Sequence, residues 1–266
     1  MNKIEKKMVE ILERGKSLHG VVSVKAEFEA EGTRTDELLR LVDVSRAAGL
    51  PLTLKIGGCE AIRDLLEAKQ IGVRYIVAPM IETPYALTKY IKAVELVYSQ
   101  EEREDTDFLF NMETITAYDH RDALVETAKG SLSGIVFGRV DFSGSMGLGR
   151  DGIESEEITS KVIDIAKLTK SSGLHLVMGG AISSDALSNV KAVQSEFLSR
   201  FETRKVVFRG DAVASASIQD GLLNAVHFEL LWLMNKRDYY ANITKEDQSR
   251  IQMLEARWAV LGKDVY

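Results

Sequence analysis

Residues 72–87, GVRYIVAPMIETPYAL, spell out one complete structural unit. Gly72 supplies the left-handed conformation that ends a helix. Tyr75 to Met80 is a short run with apolar residues at consecutive rather than alternating positions, the pattern of a strand covered on both faces and therefore of a parallel sheet. Thr83-Pro84 follows as an N-cap and first-turn pair. From Tyr85 to Tyr98 the apolar residues recur at helical spacing.

The same unit repeats along the chain. Strands are expected at 21–27, 52–56, 75–80, 108–112, 134–141, 174–178 and 206–209, and helices at 36–48, 61–68, 85–98, 119–128, 156–170 and 184–201. Gly130 and Gly173 also stand where helices end, and Ser183-Ser184-Asp185 where one begins. Alternating strands and helices predict α/β architecture with a parallel sheet. The length and the number of units predict a (β/α)8 TIM barrel, with an open doubly wound sheet as the alternative. Only seven strands are legible, so the eighth is expected either disguised near the N-terminus or missing. The chain reads as one domain over 1–266, with an N-terminal helix within 1–20. A helical tail over 221–266 has helices at 227–235 and 245–261. Phe228, Leu230, Leu231, Trp232, Leu233 and Met234 give it more apolar surface than one closing helix needs, which predicts a homo-oligomer.

Composition removes several classes of function. The chain has 266 residues, 34 Lys plus Arg against 40 Asp plus Glu, and a net charge of −6, which argues against nucleic acid or an anionic membrane as partner. No apolar run reaches the ~18–20 residues that span a bilayer, and the N-terminal segment is amphipathic with both charge signs, so a cytoplasmic protein is expected. The single cysteine, Cys59, excludes a disulfide framework and a Cys-based zinc site.

In a parallel barrel, chemistry gathers at the carboxyl ends of the strands. Those ends carry Lys25-Ala26-Glu27-Phe28-Glu29, Lys55, Asn111-Met112-Glu113, Gly138-Arg139-Val140-Asp141, Gly179-Gly180 and Arg209-Gly210-Asp211. Glu113 and Asp141 follow strongly apolar strands on neighbouring units. Two converging carboxylates need positive charge between them, supplied either by a hard divalent cation or by an ion network with Arg139, Lys55 or Lys25. Lys55, Arg139 and Arg209 suit an anionic substrate, or equally charge balance against nearby acids. Gly179-Gly180 reads as an anion-binding backbone or a tight turn. Gly147–Gly152 has GxGxxG spacing, but the next helix starts near Glu156 and no acid closes the following strand, so a glycine-rich lid is favoured over a nucleotide site. His19, His120, His175 and His227 are scattered and lie away from the expected mouth. No GxSxG or P-loop occurs.

From about Val21 to Asp211 the chain resembles the HpcH/HpaI aldolase and citrate lyase β-subunit superfamily. The resemblance rests on GVRYIVAPMIETPYAL, FLFNMETITAYD (108–119) and GIVFGRVDFSGSMG (134–147), in that order. It implies a (β/α)8 barrel, an oligomer with an exchanged C-terminal helix, and a lyase, aldolase or synthase that forms or cleaves a C–C bond beside a carbonyl. It also implies Mg2+ or Mn2+ holding an enolate, with Glu113 and Asp141 as metal ligands. The expected substrate is small and anionic: a 2-oxo acid such as pyruvate or oxaloacetate, phosphoenolpyruvate, or an acyl-thioester. Glu27 matches a family position and is the expected base, with Lys55 and Arg139 as further catalytic residues. Lys25, Lys55, Gly138, Arg139, Gly179 and Gly180 are the expected substrate-binding set. Phe28 stands where aldolase members carry a histidine, and Lys55 where they carry an arginine. A barrel that has lost its chemistry and acts as a binding or scaffold protein is therefore the alternative.

Overall fold

The computed structural model describes residues 1–261. The elements run in the order α1 (Lys3–Leu18), β1 (Val21–Glu27), α2 (Thr35–Ala47), β2 (Leu52–Lys55), α3 (Ile62–Ile71), β3 (Tyr75–Ala78), α4 (Pro84–Val97), α5 (Gln100–Glu104), β4 (Asp107–Met112), α6 (Ile115–Asp119), α7 (Arg121–Ala128), β5 (Gly134–Gly138), α8 (Arg139–Ser145), α9 (Glu156–Ser172), β6 (His175–Gly179), α10 (Leu187–Glu196), β7 (Arg200–Glu202), β8 (Val206–Arg209) and α11 (Ile218–Leu261). The eight strands close into a barrel in sequence order. Local signals hold as expected: Thr83 caps α4 with Pro84 in its first turn, and Gly72 ends α3 in the left-handed region at φ 76°.

The strand that sequence reading misses is β7, and it is not supplied by the N-terminus. The expected helix 184–201 stops at Glu196, and Arg200–Glu202 pairs with β6 in parallel and with β8 antiparallel. Only Thr203, Arg204 and Lys205 join β7 to β8. So short a link can make a hairpin but not a parallel crossover, which needs a dozen or more residues. The last strand therefore runs against its neighbours, and β1 also pairs with it antiparallel. The reversal relocates Arg209. Its amide donates to the Gly20 carbonyl at the amino end of β1, and its side chain pairs with exposed Asp211. Arg209 and Asp211 thus sit on the opposite side of the barrel from the mouth, contrary to expectation.

Alternate strand residues divide the core. Val77, Leu109, Val136 and Val177 form a separate cluster inside the barrel, below the polar mouth. Val24, Leu54, Ile76, Phe110, Ile135, Met178 and Phe208 belong to the larger cluster with the surrounding helices. Burial on both faces is what makes the strands read as unbroken apolar runs.

The tail is one helix of 44 residues rather than two; residues 262–266 of the expected tail lie outside the described residues. Its first half closes the barrel against α1. Phe228 is 0% and Trp232 4% exposed, so these two are core residues of their own chain and not the free surface expected. Leu230 and Leu233 remain exposed, as do Ile243, Ile251, Leu254 and Trp258 farther along. No helix among the described residues is long and apolar enough to cross a membrane.

Candidate active site

The mouth of the barrel holds a cavity of about 520 Å³, into which strands β1, β2, β4, β5, β6 and β7 all contribute residues. Of the residues singled out from sequence, Lys25, Glu27, Lys55, Glu113, Gly138, Asp141, Gly179 and Gly180 line it.

Two buried ion networks form its floor. Lys25 Nζ lies 2.9 Å from Glu27 Oε1 and 2.5 Å from Glu202 Oε1. Burial opposes the charge on Lys25, but Glu202 and Glu27 outweigh it and hold the ammonium well above the ordinary lysine range. Burial likewise pushes Glu27 up, yet the opposing pull of Lys25 is stronger and its carboxyl stays below the ordinary range. Lys55 Nζ lies 2.9 Å from Glu29 Oε2 and 3.4 Å from Glu113 Oε2. Its pKa is raised: burial disfavours its charge, and Glu113 and Glu29 more than compensate.

Glu113 differs from Glu27. Its Oε1 accepts from the Met80 amide at 2.9 Å, and its Oε2 accepts from Asn111 Nδ2 at 2.5 Å. Even so, burial holds its carboxyl above the ordinary range, and Asp141 adds a like charge that pushes the same way. Asp141 is exposed and sits in the first turn of α8, not on β5, which ends at Gly138. Asn111 Oδ1 is buried without a hydrogen-bond partner.

The glycines here serve close approach. A Cβ on Gly138 would lie 2.8 Å from Glu113 Oε2, and one on Gly179 would lie 3.1 Å from Glu202 Oε1. Gly180, at φ +85°, faces the Arg139 and Val140 amides, which a Cβ would approach within 2.8 Å. The helix after this turn starts at Leu187 rather than at 184 as expected, so the Gly179-Gly180 amides stand well before its N-terminus. Among the described residues, the non-glycine positions with positive φ are Met80 and Ala181; both line the cavity at strand ends. Strained backbone of this kind clusters at functional sites.

Arg139 departs from expectation. Its side chain is 0% exposed and does not line the cavity. The guanidinium pairs with Glu154 at 2.9 Å and donates to the Gly180 carbonyl at 2.7 Å. Its place at the start of α8 turns it behind the β6 loop, so Arg139 does not face the cavity, contrary to the catalytic and substrate-binding roles expected of it. It locks that loop instead.

For a divalent cation, Glu113 and Asp141 offer two hard carboxylates, and the orphaned Asn111 Oδ1 offers a further oxygen beside them. Among the described residues no group of three or more His, Cys, Asp or Glu is arranged as a metal cage. The donor set fits a cation such as Mg2+, which takes one or two carboxylates and completes its shell with water and substrate oxygens. Charge agrees. The cavity is lined by Lys25, Lys55, Arg150 and Arg204 against six carboxylates, which leaves two negative charges.

Sequence reading did not select Asn111, Glu202, Arg150 or Arg204. Asn111 had a signal, lying two residues before Glu113 and so on the same face of β4. Glu202 had almost none, since β7 is three residues long with only Phe201 apolar. No histidine lines the cavity. His175 is at the amino end of β6, and His19 is buried at the barrel base against Ser217.

A family model for HpcH/HpaI aldolase/citrate lyase matches residues 35–191, more than half of the chain. The structure is similar to an HpcH/HpaI aldolase from Desulfitobacterium hafniense, with a TM-score of 0.59 at 13% identity, covering 74% of this chain and 82% of that one. An aldolase/citrate lyase family protein from Burkholderia cenocepacia gives 0.59 at 13% identity, covering 73% and 81%. A variant of the citrate synthase SbnG gives 0.53 at 16% identity, covering 73% and 80%. At such identities the likeness is one of fold. No curated protein matches the sequence.

Proposed function

The chain belongs to the HpcH/HpaI aldolase/citrate lyase family, and from that premise we propose that it is a divalent-metal-dependent carbon–carbon lyase or synthase. Its substrate is a small anionic 2-oxo acid, phosphoenolpyruvate or an acyl-thioester. The observation that carries the reading is Glu113: a carboxylate at the cavity floor, buried, pressed by the like charge of Asp141, and in a cavity short of two positive charges.

In this reading Glu113 and Asp141 hold Mg2+ or Mn2+, with Asn111 steering Glu113 by its hydrogen bond. A bound divalent cation supplies Lewis acidity that offsets negative charge developing on a substrate oxygen. Lys55, kept protonated by its acids, faces the substrate carboxylate as a point charge. Lys25 engages Glu27 Oε1, which leaves Oε2 to take the proton beside the carbonyl. Gly138 and Gly179 keep the floor open.

The test is turnover of oxaloacetate, and of pyruvate with an aldehyde, by purified protein with Mg2+ and with a chelator. The expected result is chelator-sensitive turnover that Glu113→Gln abolishes. The cavity's lack of a histidine favours a second reading, a barrel that binds such ligands without converting them. Metal and pyruvate binding with no turnover of either substrate would select it.

A further inference from the structure

The cations of the mouth fall into two kinds. Lys25 and Lys55 are neutralised at close range by Glu27, Glu202, Glu29 and Glu113. Lys205, just behind, is buried against Glu31. Arg150 and Arg204 are different. Both are exposed and both line the cavity. Arg150 has no ion-pair or side-chain hydrogen-bond partner among the described residues. The guanidinium of Arg204, 57% exposed, reaches carboxylates only at 3.6 Å (Glu229) and 4.0 Å (Glu31), with no hydrogen bond to either. Two planar guanidinium groups with free N–H donors therefore stand on the rim, above a floor whose lysines are already paired.

Their positions follow from the backbone. Arg204 is the middle residue of the three-residue β7–β8 link, which the reversed last strand carries across the mouth. Arg150 opens the short turn Arg150–Gly152 in the glycine-rich segment after α8, where Gly147 and Gly149 have positive φ and open space around them. A cavity of about 520 Å³ is also several times larger than a three-carbon acid requires.

We propose that Arg150 and Arg204 are specificity residues that grip a second anionic group, carboxylate or phosphate, at the end of the substrate away from Glu113. The proposal rests on the lyase reading above and narrows its substrate to dianions. A guanidinium fork matches either oxyanion bidentately, and such charge-assisted pairs are stronger than neutral hydrogen bonds. Floor and rim divide the work: Lys55 with the cation addresses the reacting end, and the rim reads the remote end.

The experiment is calorimetric titration of the full chain in Mg2+ with three probes: pyruvate, 2-oxoglutarate, and 3-phosphohydroxypyruvate, a 2-oxo acid whose phosphate is on the far carbon. One or both dianions should bind at least about tenfold tighter than pyruvate; which of them does so tells carboxylate from phosphate. Arg204→Gln and Arg150→Gln should each shrink that preference severalfold and leave pyruvate and Mg2+ affinity unchanged. Arg204→Lys should restore part of it. A wild-type protein that binds pyruvate and Mg2+ with no dianion preference overturns this proposal alone, as do Gln variants that keep the preference or weaken pyruvate equally. A wild-type protein that binds neither pyruvate nor Mg2+ overturns the lyase reading together with it.

Discussion

Gly138 leaves the space that Glu113 fills: a Cβ at Gly138 would stand 2.8 Å from Glu113 Oε2 and 2.9 Å from its Cβ. The second contact lies next to the backbone, so a rotamer change of Glu113 does not relieve it. Gly138→Ala is expected to lower stability by about 1–3 kcal/mol, the usual range for overpacking, and to weaken Mg2+ binding by at least about tenfold. Thermal melts and metal titration check both. A variant with unchanged metal affinity would detach Glu113 from the metal.

Glu113 and Asp141 are expected to bind the metal jointly. The double change to Gln and Asn should abolish Mg2+ or Mn2+ binding in calorimetry. Because Glu113 also partners buried Lys55, some stability is expected to be lost, and thermal melts check that the variant remains folded. Undiminished binding in the folded double variant sinks the assignment.

If Glu27 is the proton acceptor, Glu27→Gln cuts turnover by about 10²–10⁴. The pH profile adds a sign. The carboxyl of Glu27 is held below the ordinary value of 4.5. It is therefore ionised at neutral pH, and kcat/KM should fall only as pH drops below that value. An acid limb near neutrality would exclude Glu27. The same depressed pKa contributes stability above pH 4.5 that is lost as pH falls through the folded-state value.

Lys25 neutralises two buried acids, so Lys25→Met strands both Glu27 and Glu202. Removing one partner of a buried ion pair costs about 3–5 kcal/mol, read from denaturant unfolding. The triple change with Glu27→Gln and Glu202→Gln should recover much of the loss. Failure to recover would mean that Lys25 acts through packing of its stem alone.

The exposed half of α11 predicts assembly. Ile251, Leu254 and Trp258 recur at helical spacing and are each about half exposed or more in the single chain. Light scattering at micromolar concentration should report more than one chain per particle. Truncation after Asn242 should yield a monomer, while Phe228→Ala should instead destabilise the barrel by about 3–5 kcal/mol. A full-length monomer would leave this surface unexplained by self-association.

The sequence by itself determined the positions of seven of the eight strands, the caps at Gly72 and Thr83, and the acids Glu113 and Asp141. These are local or periodic properties: a doubly covered strand must read as continuous apolar residues, and a helix end must satisfy its own backbone groups. Tertiary structure alone decided the rest. Arg139 looked like a mouth residue until the chain turned into α8 immediately after Gly138. Glu202 stood just past the end of an expected helix, 184–201, until β7 found a place beside β6. Arg209 changed ends because a three-residue link forced β8 to run backwards. Each of these side chains is positioned by where its strand pairs and which way it runs, and pairing direction is a contact between distant segments that no local pattern encodes.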